Sequence, residues 1–233
     1  MTIDAGRLLV ALDYSEPDQA FKMVELLAPL GVGFKVGLQL FMAGGRELVI
    51  ELAAKHKIFL DLKFNDIPNT VAAAVREAAE LGVWMVNVHA SGGREMMKSA
   101  AAAAGEYSPG PLVIAVTVLT SLNDRDLIET GCGKNTALQV LKLSRLATDC
   151  GLDGVVCSSH EIRDIKNALA PGFITVTPGV RPAGNRQDDQ ARTALPSAVI
   201  SKGGDYLVVG RPITSVADPL RAARSILVEM GVD

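Results

Sequence analysis

Residues 58–89 read IFLDLKFNDIPNTVAAAVREAAELGVWMVNVH. The stretch opens with a short, mostly apolar run, Ile58–Lys63, continues with apolar residues at helical spacing over Asn69–Leu81, and closes on a second short apolar run, Met85–His89. Short runs that are apolar almost throughout suit strands covered on both faces, and a helix between two of them is the crossover that a parallel pair requires.

The same alternation extends to both ends of the chain. Further strand candidates are Leu8–Asp13, Gly33–Gly37, Leu112–Leu119, Gly154–Ser158, Phe173–Pro178 and Tyr206–Gly210. The amphipathic segments between them are Pro17–Ala28, Arg46–Ala54, Gly93–Ala104, Thr136–Cys150, Glu161–Leu169 and Pro219–Glu229. Eight units in 233 residues leave about 29 residues each, what a strand, a helix and two short loops need. A doubly wound open sheet produces the same alternation, but no G-x-G-x-x-G follows the first run, and eight units favour closure. The expectation is α/β: one (β/α)8 TIM barrel spanning 1–233 as a single domain. The longest irregular stretch, Arg181–Asp189, is polar and reads as a mobile surface loop.

Composition bounds the partners. Hydrophobic residues make up 48% and charged residues 21%, enough apolar material for a large core, and a net charge of −3 carries no footprint for nucleic acid or an anionic membrane. Met1–Gly6 is polar and the apolar run after it stops at Asp13, too short for a signal-peptide core or a membrane span, so a cytoplasmic protein acting on a small molecule is expected. Cys132, Cys150 and Cys157 are an odd set without C-x-x-C spacing and read as reduced structural thiols.

Charged residues stand where a barrel should be apolar. The first strand ends in Asp13, the second around Lys35, and the third carries Asp61 and Lys63, which share a face because strand residues two apart point the same way. Any one of these alone reads as a solvated strand end or as part of a structural ion-pair network. Four charges of alternating sign at the carboxyl ends of three neighbouring strands converge instead on the barrel face that holds active sites. Ionised groups in a partly dehydrated mouth cost several kcal/mol each unless paired, so the cluster points to chemistry, with a catalytic lysine. At the far end of the chain, strands seven and eight run into Thr177-Pro-Gly-Val-Arg181 and Val209-Gly210-Arg211-Pro212. Each could be ordinary turn chemistry. Together they supply glycine amides and arginines where barrels place a phosphate site.

The segment Asp61-Leu-Lys63-Phe-Asn-Asp66-Ile-Pro-Asn-Thr70 resembles the D-x-K-x-x-D signature of the orotidine 5′-phosphate decarboxylase family. The similarity continues through Leu-Asp13, Lys35-Val-Gly, Leu-Thr120-Ser, Pro-Gly-Val-Arg181-Pro, Asp-Gln190 and Gly210-Arg211-Pro. Asn65 stands where members often carry His, and Leu195 replaces a frequent polar residue near the start of the seventh helix. The resemblance implies decarboxylation of orotidine 5′-monophosphate to UMP without metal or organic cofactor. It makes Lys63 the proton donor to the C6 carbanion, with Asp61 and Asp66 flanking the departing carboxylate. Asp13 and Lys35 would bind the ribose and Thr120 the pyrimidine, while Gly210, Arg211, Arg181 and Gln190 would hold the phosphate. It further implies a homodimer with shared sites, in which Asp66 and Thr70 reach the neighbouring barrel.

Two other readings stand beside this one. Related barrels with the same signature use magnesium held by an acidic residue at the end of strand two, where this chain has Lys35. A nucleotide-binding barrel that has lost its chemistry is the other, against which the intact Asp61, Lys63 and Asp66 set argues. His89, at the end of strand four, His56, His160 and Trp84 read as structural residues.

Overall fold

The structure, a computed structural model, describes residues 3–182 and 193–232. Eight parallel strands close into a barrel in sequence order, β1 to β8, with β8 pairing back onto β1. They are β1 (Leu8–Ala11), β2 (Gly33–Gly37), β3 (Ile58–Phe64), β4 (Met85–His89), β5 (Leu112–Val116), β6 (Gly154–Val156), β7 (Ile174–Thr177) and β8 (Tyr206–Val209). The helices between them are α1 (Pro17–Leu27), α2 (Leu38–Ala53), α3 (Pro68–Glu80), α4 (Arg94–Ala104), α5 (Asp124–Glu129), α6 (Thr136–Asp149), α7 (Ile162–Ala168), α8 (Pro196–Ser201), α9 (Arg211–Thr214) and α10 (Pro219–Met230). The open-sheet alternative falls with the β8–β1 pairing, in which Leu8, Leu9 and Val10 face Leu207, Val208 and Val209.

The apolar residues divide by strand parity. Leu9, Ala11, Phe59, Met85, Ile114, Val176 and Val208 pack together inside the barrel. Their neighbours Leu8, Val10, Ile58, Leu60, Val86, Val113 and Leu207 point outward into a second, larger core under the helices. This two-sided burial is what made the runs continuously apolar. At the β6–β7 contact the backbones approach so closely that a Cβ at Gly154 would collide with the Ile174 carbonyl, which only glycine avoids.

Several helix boundaries differ from the sequence expectation. The second helix, expected at Arg46–Ala54, begins at Leu38 directly after β2 and is interrupted at Gly45, whose left-handed φ of 64° breaks the hydrogen-bond ladder. Gly44-Gly45 conceals the first half from a periodicity reading. The short helices α5, α8 and α9 lie beyond the expected set, because four to six residues are too few to show a helical period. The three thiols are free, Cys132 exposed and Cys150 and Cys157 buried. Burial pushes the Cys157 thiol far above the usual range, so it behaves as a small core side chain.

Candidate active site

Parity carries the interior positions upward from apolar to charged. On β3 Phe59 lies in the barrel core, and Asp61 and Lys63, two and four residues on, face the same interior at its carboxyl-terminal end. From β1 the same progression runs Leu9, Ala11, Asp13. The charged layer lines a cavity of about 290 Å³, whose apolar wall includes Val116, Val118, Val156, Val176 and Val208. Thr120, Arg181, Gly210 and Arg211 line it as well, from the loops after β5, β7 and β8.

Four charges form one chain of contacts. The Lys35 ammonium lies 3.0 Å from Asp13 Oδ1 and 3.5 Å from Asp61 Oδ2, and the Lys63 ammonium lies 2.7 Å from Asp61 Oδ1. Their order is Asp13, Lys35, Asp61, Lys63, alternating in sign. The side chains of Lys35 and Asp61 are only 9% and 13% exposed, whereas Lys63 is 30% exposed and opens onto the cavity. Two buried charges of this kind are tolerable because each has an opposite partner in contact. Gly37 makes room for the set: a Cβ there would stand 2.8 Å from Lys35 Nζ and 3.2 Å from Asp13 Oδ1.

Lys63 is the one residue other than glycine with positive φ (54°) among the described residues. A left-handed conformation at a residue with a Cβ costs roughly 1–2 kcal/mol, so its surroundings must hold it. The hold is visible. The β3–β4 register slips between Leu60 and Phe64, and the Lys63 amide donates to Asn87 Oδ1 at 2.8 Å. Asn87 Nδ2 donates in turn to Asp61 Oδ1 at 2.7 Å. Sequence reasoning passed over Asn87; its one signal was a polar residue at the inward parity of a buried strand. His89, two residues on, has its pKa lowered by burial and next by the Lys63 ammonium, against the pull of Asp61. Its imidazole is therefore neutral near pH 7.

Not every expected site residue reaches this cavity. Asp66 lies past the end of β3, exposed, and its carboxylate accepts the Ile67 amide at 2.6 Å. Thr70 is exposed in the first turn of α3. Neither lines the cavity of its own chain. Gln190 lies outside the described residues. No group of three or more His, Cys, Asp or Glu side chains able to hold a metal ion occurs among the described residues.

Comparison with known proteins extends over nearly the whole chain. The family described as Orotidine 5′-phosphate decarboxylase / HUMPS family matches residues 6–226. The Orotidine 5′-phosphate decarboxylase of Chromobacterium violaceum is 52% identical over 226 residues, covering 97% of this chain and 92% of that protein. The protein of the same name from Dichelobacter nodosus is 50% identical over 221 residues, 94% of this chain and 96% of its own length. Among solved structures, the crystal structure of Orotidine 5′-phosphate decarboxylase from Lactobacillus acidophilus superposes with a TM-score of 0.85 at 38% identity, covering 96% of this chain and 98% of that one.

Proposed function

The chain belongs to the orotidine 5′-phosphate decarboxylase / HUMPS family, and on that premise we propose that it is a carboxy-lyase converting orotidine 5′-monophosphate to UMP and carbon dioxide, with Lys63 as proton donor. The observation that carries the proposal is the Asp13–Lys35–Asp61–Lys63 chain of alternating charges inside the cavity. When the bond from C6 to the carboxylate breaks, its electron pair stays on C6. The Lys63 ammonium stabilises that charge as it develops and then transfers a proton to the carbon. Asp61, 2.7 Å from Lys63 Nζ, holds the ammonium in place and faces the departing carboxylate. Preorganised charge of this kind acts at the transition state and needs no reorganisation when the bond breaks.

The remaining roles follow from donor and acceptor geometry. Asp13 and Lys35, paired at 3.0 Å, offer an acceptor and a donor to the ribose hydroxyls. Thr120 reads the pyrimidine from the loop after β5. Arg211 and the Gly210 amide hold the phosphate, supported by Arg181 on the same wall and by Gln190 through the sequence motif. The apolar wall restricts water around C6. The reaction is expected to need no metal. At the position from which the magnesium-dependent relatives supply a carboxylate stands Lys35, whose ammonium already touches Asp13 and Asp61. Purified protein should discharge the orotate chromophore of orotidine 5′-monophosphate, equally well after EDTA treatment; activity that disappears with EDTA and returns with magnesium would move the assignment to those relatives.

A second copy of the chain supplies what the single barrel lacks. Asp66 and Thr70 lie off the cavity of their own chain, and exposed apolar side chains stand beside them at the same end of the barrel. Ile67 is 67% exposed, and Leu38 and Met42, one turn apart at the start of α2, are 57% and 80% exposed. Exposed apolar side chains at this end of the barrel are what a second copy would cover. A homodimer in which each Asp66 reaches the partner's cavity makes the functions of Lys63 and Asp66 separable between subunits. Mixing inactive Lys63→Ala with inactive Asp66→Ala and allowing exchange should restore roughly a quarter of wild-type activity, since about half the dimers are mixed and each has one intact site. Background activity despite exchange, followed with mass-tagged subunits, would place Asp66 in its own chain's site.

A further inference from the structure

We infer that Asn87 is a positioning residue for the decarboxylation, acting through the Lys63 backbone and the Asp61 carboxylate. The inference rests on Lys63 as the proton donor. It starts from the register of β3 against β4. Leu60 pairs with Val86 and Phe64 with Val88, so Asp61, Leu62 and Lys63 of β3 face Asn87 alone on β4. A bulge of this size leaves β3 amides without ladder partners, and an unpaired amide at such a place is costly. The Asn87 side-chain carbonyl takes the Lys63 amide at 2.8 Å, replacing the lost ladder bond with a side-chain bond and holding the left-handed turn at Lys63.

The other half of the amide is committed as well. Asn87 Nδ2 donates to Asp61 Oδ1 at 2.7 Å, the same oxygen that takes the Lys63 ammonium at 2.7 Å. The assignment of its oxygen and nitrogen is unambiguous, because turning the amide over would set a donor against the Lys63 amide and an acceptor against a carboxylate. Asn87 is wholly buried, so water does not compete for either bond. One side chain thereby sets where the Lys63 Cα projects and which way Asp61 presents its oxygens. It lines no part of the cavity and so has no contact to offer the substrate.

Asn87→Leu, close in volume, removes both bonds. Displacement of a reacting group by about 1 Å can cost ~100-fold, so kcat should fall by about that factor or more, with KM and the dissociation constant of UMP held within ~3-fold. By hydrogen exchange in the full-length protein, the Lys63 amide should exchange at least ~10-fold faster while Val86 and Val88 keep their protection. Asn87→Asp keeps the acceptor for the Lys63 amide and replaces the neutral amide donor to Asp61 with a carboxyl that must share a proton with it. It should retain the amide's protection yet lose at least ~10-fold in kcat, and it carries the kinetic test if the leucine variant does not fold. A kcat within ~3-fold of wild type in the folded variant, or UMP affinity lost in step with kcat, would overturn the inference. Unchanged exchange at Lys63 would overturn it whatever Lys63→Ala does. Near-normal turnover in Lys63→Ala would instead overturn the proton-donor reading and leave the hydrogen bond standing.

Discussion

Replacing Lys63 by alanine is expected to abolish decarboxylation while leaving a folded barrel that still binds UMP. General acid catalysis contributes ~10²–10⁴-fold and electrostatic stabilisation of a developing charge another ~10²–10³-fold, so a residue serving both should cost at least ~10⁴-fold in kcat. The loss should fall on turnover, because the ammonium matters most when charge accumulates on C6, and that charge is absent from both substrate and product. Folding should survive for two reasons. Alanine at φ 54° bears the same left-handed cost as lysine, so the backbone strain is unchanged. Asp61 is not stranded either, since Lys35 at 3.5 Å and Asn87 at 2.7 Å remain against its carboxylate. Turnover of Lys63→Ala in a discontinuous carbon dioxide assay, with UMP binding by calorimetry on the same preparation, checks both halves. Near-normal turnover would overturn the assignment of Lys63.

Arg211→Ala should act on binding and should act selectively. Removing one partner of a charge-assisted contact costs roughly 2–4 kcal/mol, or ~30- to ~900-fold in dissociation constant for phosphorylated ligands. Affinity for the bare nucleosides should stay within ~3-fold, because they lack the phosphate that Arg211 is proposed to hold. Titrating the variant with UMP and with uridine gives the comparison. Equal losses for both would place the phosphate elsewhere along the wall. Turnover of orotidine 5′-monophosphate should fall as well, since binding energy from the remote phosphate lowers the barrier at the reacting carbon.

The strands were legible because parallel strands covered on both faces are continuously apolar, and β2 and β4 match their expected bounds residue for residue. Other strands were read too long at their carboxyl ends, as where Leu112–Leu119 proved to be strand only to Val116. There the chain stays apolar after pairing stops, because Val118 and Leu119 turn to line the cavity. Composition registers burial and is blind to which neighbour causes it.

The site divides along the same line. That Asp61 and Lys63 share a face follows from the two-residue period of a strand, and that Asp13 and Lys35 join them follows from their places at the ends of adjacent strands. These are local facts, written in the chain's own repeat. Asn87 is 24 residues from Lys63 and 26 from Asp61, and its role exists only because β3 slips register against β4. Gly37 is open to the same argument, since its missing Cβ matters only once Lys35 and Asp13 meet beside it. The sequence by itself determined eight parallel βα units and the charges at the ends of the first three strands, because strand period and two-sided burial are properties of single segments, whereas closure rests on β8 pairing with β1. The tertiary structure alone decided which carboxylate holds which ammonium and what keeps Lys63 left-handed, because those contacts depend on register between strands, which no single segment encodes.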